Sequence, residues 1–173
     1  MPLNQTAPLD LSDFVNAKLE ESWHDTSDTG NNLAQLSSGI LSIGNLAFRV
    51  TGIIQLGGGP LTTSNRWPLE VKGIPVKRAG KKLYFLHAAG WGNGSEKQVG
   101  PFVIHLADGS SHIRPIVRGR DLVDWHVSGG QVSTFYPAKQ PLTAWLGYNK
   151  VSAGSRRFIA LFLTTWDNQH RVS

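Results

Sequence analysis

Short runs of β-forming residues recur between glycine and proline turns, and this pattern limits the fold more than any other feature of the chain. Strand-like runs cover 46–56, 69–76, 82–91 and 157–166, and 19 glycines and nine prolines are spread along the chain without a period. No segment has the apolar periodicity of an amphipathic helix of about ten or more residues. We therefore predict an all-β fold, an antiparallel two-sheet β-sandwich of about eight to ten strands.

The length and composition favour a single folded domain. A chain of 173 residues can bury one sizeable core, and we predict a flexible lead over 1–8 followed by one β-sandwich domain over 9–173. The absence of cysteine excludes disulfides and thiolate zinc sites. No apolar stretch is long enough to cross a bilayer, and 1–8 lacks the pattern of a secretion signal, so we expect no membrane association.

Two long β-forming runs predict the core of the sheet. The run 82–91 has an uncharged middle and ends in Gly90-Trp91-Gly92-Asn93-Gly94, so we expect a buried central strand that leads into a glycine-rich loop. The run 157–166 is apolar on both faces, which predicts a strand with a neighbour on each side.

The sequence 102–114 predicts a β-hairpin. Alternating residues flank Asp108-Gly109, a dipeptide that favours a two-residue type I′ turn. Such a turn would place His105 opposite His112 on the wetter face and bury Ile113 with Phe102. We interpret the two histidines as an ordinary solvent-facing pair, because two nitrogen ligands make a poor zinc site.

Charge is distributed unevenly along the chain. Six of the 12 acidic residues lie within the first 30 residues, whereas 16 of the 17 basic residues follow Lys18. Clusters at Lys77-Arg78 with Lys81-Lys82, and at Arg114, Arg118 and Arg120, are candidates for attracting a polyanion such as nucleic acid or an acidic polysaccharide. We favour the simpler interpretation of solvated charges and expect no nucleic-acid partner.

One acidic, polar loop is a candidate calcium site. Asp25, Asp28 and Asn31 offer hard oxygen ligands, but their spacing does not match a helix-loop-helix calcium loop. The alternative is a turn stabilised by its own Asp and Asn side chains. We expect no required cofactor and keep a structural Ca²⁺ as a candidate.

Tryptophans next to turns predict a binding function. The chain has six tryptophans, and an exposed indole ring suits the apolar face of a sugar ring. We predict that Trp67, Trp91 and Trp125 are exposed, and polar partners for sugar hydroxyls lie close to them in sequence. The predicted carbohydrate-binding residues are Trp67, Trp91, Trp125, Arg66, Asn65, Asn93 and His126.

Catalysis has little support in the sequence. There is no Gly-x-Ser-x-Gly motif, and the acidic residues beyond the first 30 are scattered. A glycosidase needs two carboxyl groups across a cleft, which no spacing here indicates. We expect a protein that is not an enzyme, with a metal-dependent hydrolase as a less favoured alternative.

Five motifs in order resemble a known type of module. They are Asn31-Asn32-Leu33-Ala34, Leu46-Ala47-Phe48-Arg49-Val50, Val71-Lys72-Gly73-Ile74-Pro75-Val76, Leu83–Trp91 and Leu163-Thr164-Thr165-Trp166. Over about residues 9–170 the chain resembles galactose-binding-like and NPCBM-like β-sandwich modules of environmental bacteria such as planctomycetes and verrucomicrobia. Modules of this type usually continue with a further strand, so we expect either that a closing strand is missing or that the chain is an excised module.

The resemblance implies a jelly-roll sandwich, accessory to a larger extracellular or periplasmic protein, with a glycan ligand and in some members a structural calcium. No catalytic residues come with it. The predicted function is therefore a non-catalytic carbohydrate-binding module whose partners are a polysaccharide and other domains of its parent protein. The alternative is a protein-interaction or sensor module without a sugar ligand.

Overall fold

The protein is mainly β-structure with antiparallel pairing, which confirms the predicted all-β class. A computed structural model describes residues 6–22, 29–58, 66–90, 98–129 and 141–168. Within these ranges the strands are β1 Gly39–Ile43, β2 Leu46–Val50, β3 Lys82–His87, β4 Gln98–His105, β5 Ser111–Val117, β6 His126–Val127, β7 Leu142–Gly147 and β8 Phe158–Asp167, with a 3-10 turn at Ser12–Phe14 and one short helix, α1 Lys150–Gly154. None of the helices in the described part of the chain is long and apolar enough to span a membrane.

The chain divides into two compact units. Unit 1 consists of Met1–Arg78 with Gly147–Arg156, and unit 2 consists of Ala79–Leu146 with Arg157–Ser173. The single domain expected over 9–173 stays a prediction.

Unit 1 contains the β1–β2 hairpin and helix α1. Ile43 pairs with Leu46 around a two-residue loop whose first residue, Gly44, has φ +59°. A positive φ at this position is typical of a type II′ turn and suits glycine, which has no Cβ. Leu46 and Val50, at the two ends of β2, are buried.

Unit 2 is organised around β8, as its sequence predicts. This strand pairs with β3, β6 and β7, and Ile159, Ala160 and Phe162 are fully buried. Strand β3 differs from its prediction, because among the described strands its neighbour is β8 alone and it lies at the sheet edge. Its residues from Leu83 to His87 are half-buried rather than buried.

The β4–β5 hairpin forms where predicted, but its register is shifted by one residue. Leu106 N donates to Ser110 O at 2.9 Å, and Gly109 has φ +84°. The loop therefore has three residues and a left-handed glycine rather than the two residues of a type I′ turn. Ile104 pairs with His112, so the prediction that His105 faces His112 is wrong.

The register shift moves every β5 side chain to the other face, because strand side chains alternate. Ile113, predicted to be buried, is 68 % exposed and pairs with Val103, which is 49 % exposed. His112 is half-buried, with its ring 5.8 Å from that of Trp166. Phe102 stacks on Phe85 of β3 with ring centroids 3.8 Å apart.

Candidate functional site

A concave surface beside Tyr148 is the candidate site of unit 1. Tyr148 lies between the end of β7 and the start of α1, and it is 44 % exposed although it is a large aromatic residue. The cleft has a volume of about 450 Å³. Its lining residues are Gly30, Asn32, Ala34, Gln35, Tyr148, Asn149, Lys150 and Ala153. We call this surface the Tyr148 cleft.

The sequence at 149–152 fixes the helix that forms one wall of the cleft. Asn149 is the N-cap of α1: its Oδ1 accepts from Ser152 N at 2.8 Å, and Ser152 Oγ accepts from Asn149 N at 2.9 Å. This reciprocal pattern satisfies two backbone donors that would otherwise lack partners. A helix of five residues is too short to be stable alone, so these bonds and tertiary contacts hold it in place.

Asn149 also ties the helix to the loop that forms the opposite wall. Its Nδ2 donates to Asn31 Oδ1 at 2.9 Å and to Asn32 O at 3.1 Å, and Lys150 N donates to Gly30 O at 3.2 Å. Gly30 has φ +90°, and a Cβ there would lie 2.9 Å from Lys150 Cβ. Glycine is therefore required for this close approach.

Two polar side chains of the cleft, those of Gln35 and Asn32, are held by hydrogen bonds to the backbone. Gln35 Oε1 accepts from Tyr148 N at 2.6 Å. Asn32 Oδ1 accepts from Ala34 N at 3.2 Å and its Nδ2 donates to Glu20 O at 2.9 Å. Lys150 is exposed and is the only cation among the lining residues, all of which lie in described ranges. Preset side chains of this kind lose little entropy when a ligand binds.

The lining residues offer an aromatic ring together with amide and ammonium groups. None of the eight, all within the described ranges, is an aspartate, glutamate, histidine, serine or cysteine. An aromatic ring with amide and ammonium groups around it can stack on an apolar ring and donate hydrogen bonds to hydroxyls.

Arg66 and Trp67, two of the predicted sugar-binding residues, form a pair in unit 1. The Arg66 guanidinium carbon lies 4.4 Å from the centre of the Trp67 ring, and Trp67 is half-buried. This cation–π contact covers part of one indole face. The prediction that Trp67 is exposed therefore holds for only part of its ring.

The prediction that Trp125 is exposed is wrong. Trp125 is 1 % exposed, and its backbone N–H donates to the backbone oxygen of Ala89, which follows β3, at 2.9 Å. His126 stacks on its ring with centroids 5.0 Å apart, and His126 is half-buried. The prediction places Trp125 beside a loop because Gly129-Gly130 follows it by four residues. In the structure Trp125 instead comes directly before a core strand. An indole ring in this position offers no face for a sugar.

Several other predicted site residues lie outside the described ranges. These are Asn65, Trp91, Asn93, Asp25 and Asp28. Asn31, the third predicted calcium ligand, is described: it is 3 % exposed, and its side-chain oxygen accepts from Asn149. Among the described residues, which do not include Asp25 and Asp28, no group of three or more histidine, cysteine, aspartate or glutamate side chains could hold a metal ion.

In unit 2, two arginines of the predicted basic cluster converge on one carboxylate. Arg114 Nη2 lies 2.5 Å from Asp121 Oδ1, and Arg120 Nη2 lies 2.7 Å from Asp121 Oδ2. Val117 N also donates to Oδ2 at 2.8 Å. Burial favours a higher pKa for Asp121, but the hydrogen bonds from Arg120, Arg114 and Val117 outweigh it and hold that pKa below its usual value.

His87 lies in the same unit and is neutral at physiological pH. Burial lowers its pKa to about 4; the Asp121 charge opposes this shift and the Arg114 charge adds to it. Its Nε2 lies 2.8 Å from Thr164 Oγ1, and its ring meets Phe102 edge-on. His87 is therefore a half-buried, neutral residue that contacts Thr164 and Phe102.

Sequence reasoning did not identify Tyr148, Gln35 or Lys150. The signal available was the run Tyr148-Asn149-Lys150 directly after an apolar strand, but the loop at 30–35 that completes the cleft lies more than 110 residues away in the chain.

No protein-family model, no curated protein and no solved structure matches the chain.

Proposed function

We propose that the protein is a non-catalytic carbohydrate-binding module that holds a glycan in the Tyr148 cleft. The observation that carries this proposal is a 44 % exposed aromatic ring in a concave surface where hydrogen bonds already hold the side chains of Gln35 and Asn32. Ligand sites typically combine an apolar or aromatic floor with a few fixed polar groups. The lack of any carboxylate or histidine among the lining residues supports binding without catalysis.

The binding mode follows from the lining. The apolar face of a sugar ring stacks on Tyr148, while the amides of Gln35 and Asn32 and the Lys150 ammonium group meet its hydroxyls. Stacking between two aromatic rings is worth about 0.5–1.5 kcal/mol beyond the buried area, and we take this as the upper range for a sugar ring on Tyr148. One such contact gives a weak site, as expected for a module that works beside other domains.

The same proposal includes the jelly-roll sandwich and the resemblance to galactose-binding-like and NPCBM-like modules. Contacts in unit 2 support two facing sheets: Phe102 of the β4–β5 hairpin stacks on Phe85 of β3, and Arg114 Nε donates to Thr165 O of β8 at 3.5 Å. Extracellular or periplasmic location and attachment to a larger protein belong to this proposal.

Two further sites belong to the proposed function. The Arg66–Trp67 pair is a second aromatic surface in unit 1 at which a glycan chain can bind. A structural calcium held by Asp25, Asp28 and Asn31 also remains part of the proposal, and it predicts that Ca²⁺ raises the melting temperature and that a chelator lowers it.

The test is affinity gel electrophoresis against a panel of soluble polysaccharides. Tyr148→Ala should weaken retardation about tenfold, equivalent to about 1.4 kcal/mol. Leu69→Ala is the matched control, because it truncates another exposed apolar side chain of unit 1, 69 % exposed, away from the cleft lining. Tyr148→Phe should keep most of the retardation if stacking dominates.

Two results would contradict the proposal. One is a wild-type protein that no polysaccharide retards, and the other is a Tyr148→Ala variant, still folded by circular dichroism, that binds as well as wild type. Turnover of a chromogenic glycoside or ester that stops with a chelator would instead favour a metal-dependent hydrolase.

One observation favours a protein-interaction module as the second candidate. The outer face of the β4–β5 hairpin exposes Val99, Val103 and Ile113 at 46 %, 49 % and 68 %. Apolar side chains that are neighbours on one sheet face are a common feature of protein contacts. A protein that ignores every polysaccharide, but forms oligomers that Val103→Ser with Ile113→Ser abolishes, would support this function.

A further inference from the structure

Arg118 of unit 2 is buried without a carboxylate partner. The residue is 8 % exposed and follows the last residue of β5. Its Nη2 donates to Gly90 O at 3.4 Å, and its Nη1 is buried without a hydrogen-bond partner among the described residues. Buried polar groups nearly always have partners, so an orphaned guanidinium nitrogen requires an explanation.

The charge makes the missing partner more significant. Arginine stays protonated in proteins, so Arg118 cannot escape the cost of burial by losing its proton. A buried cation is unfavourable unless an anion and hydrogen bonds compensate for it. One long hydrogen bond to a carbonyl oxygen does not supply an anion.

The neighbouring acidic residues do not supply one either. Asp121 is already shared by Arg114 and Arg120, and Asp124 accepts from His126 N at 2.9 Å. Neither carboxylate pairs with Arg118 in the described part of the chain. Residues 114–121 thus contain three arginines and one carboxylate, that of Asp121, which Arg114 and Arg120 already share.

We propose that Arg118 is the anchor of a binding site for a small oxyanion, distinct from the Tyr148 cleft. The guanidinium group presents planar N–H donors that match the oxygens of carboxylate, sulfate or phosphate. Because the group is covered, the ligand is a small ion or a single acidic group rather than the backbone of a polyanion. The chemistry shared by these ligands is a compact anionic group with at least two oxygens.

The experiment is thermal unfolding of the full chain with sodium sulfate, sodium phosphate or sodium glucuronate, at ionic strength held constant with sodium chloride. A ligand that binds only the native state raises the melting temperature in a saturable way. We expect saturation with at least one of the three anions. Which anion acts at the lowest concentration distinguishes a free inorganic ion from a sugar acid.

Arg118→Met is the test variant and Arg157→Met the matched control. Both remove one positive charge from unit 2, but Arg157 is exposed. The anion-dependent rise should vanish in Arg118→Met and persist in Arg157→Met. Without added oxyanion, Arg118→Met should melt at or above the wild-type temperature, because it removes a buried unpaired charge.

Three outcomes would overturn the site. The first is no saturable rise in the wild type with any of the three anions, which would leave a water molecule as the partner. The second is an equal rise in Arg118→Met, which would indicate general salt effects. The third is a loss of stability in Arg118→Met without added oxyanion, because the protein itself would then compensate the buried charge.

Discussion

Replacing Asp121 by asparagine tests the ion network of unit 2. The Asp121 side chain is 5 % exposed and that of Arg114 is 22 % exposed. Breaking a buried pair of this kind leaves an uncompensated charge and costs about 3–5 kcal/mol. The Arg120 side chain is 53 % exposed, so its ion pair with Asp121 contributes at most about 1 kcal/mol to the free energy of unfolding. Asparagine keeps one carbonyl oxygen for Val117 N, and we therefore expect a net loss of about 3 kcal/mol.

The matched control is Asp167→Asn. Asp167 pairs with Lys82 across β3 and β8 at 2.9 Å, and the two side chains are about half exposed, at 53 % and 49 %. An exposed pair contributes about 0–1 kcal/mol. Denaturant unfolding followed by tryptophan fluorescence and circular dichroism measures both variants, and coincident transitions by the two probes justify a two-state free energy.

The dependence on pH provides an independent check. The pKa of Asp121 is lowered in the folded protein, so the unfolded state takes up its proton first as the pH falls. The stabilisation is fully present above the unfolded value of about 3.9 and disappears as the pH falls through the folded value. The difference between wild type and Asp121→Asn should therefore shrink in acid. A loss no larger than that of Asp167→Asn, or one that persists in acid, would refute the reasoning.

Two further predictions concern the hairpin register and His87. Ile104→Ala should cost about 2–5 kcal/mol, because Ile104 is 9 % exposed, whereas Ile113→Ala, on the exposed face, should change stability by less than about 0.5 kcal/mol; equal costs would contradict the observed register. His87, with its pKa lowered to about 4, stays neutral while the unfolded chain takes up a proton near pH 6.5. The free energy of unfolding should thus fall by roughly 3 kcal/mol as the pH drops from 6.5 to 4. The His87→Gln variant should not show this fall. A titration of the His87 ring near pH 6.5, observed by NMR, would contradict the prediction.

The sequence predicts strands well where burial is uniform along them. The run that forms β8 is apolar on both faces, which fits only a strand with neighbours on both sides, and β8 indeed pairs with β3, β6 and β7. Strand β3 has a similar apolar stretch but includes Tyr84 and His87, and it lies at the edge. A short apolar run does not by itself distinguish an edge strand from a central one, because half-buried side chains satisfy the same pattern.

The hairpin shows how a small error in a turn becomes a large error in a surface. Asp108-Gly109 is compatible with a two-residue turn and with a three-residue turn that ends in a left-handed glycine. Only the second closes between Leu106 and Ser110. One residue of difference decides whether Ile113 lies inside or outside, and the exposed apolar face of β4–β5 could not have been predicted from the alternation alone.

The two candidate binding sites were missed for a related reason. Tyr148 lines a cleft together with Asn32 and Gln35, and Arg118 donates a hydrogen bond to Gly90 O. Each candidate site therefore depends on residues that are distant in sequence. The basic cluster 114–120 was visible in the sequence, but its charges separate in the structure: Arg114 and Arg120 share Asp121, while Arg118 turns inward. The number of arginines in 114–120 predicts a uniform basic patch on the surface. In the structure, the charge without a carboxylate partner is that of the buried Arg118. The anion that we propose for Arg118 must therefore be small enough to reach a buried residue, and this requirement distinguishes it from the glycan that we propose for the Tyr148 cleft.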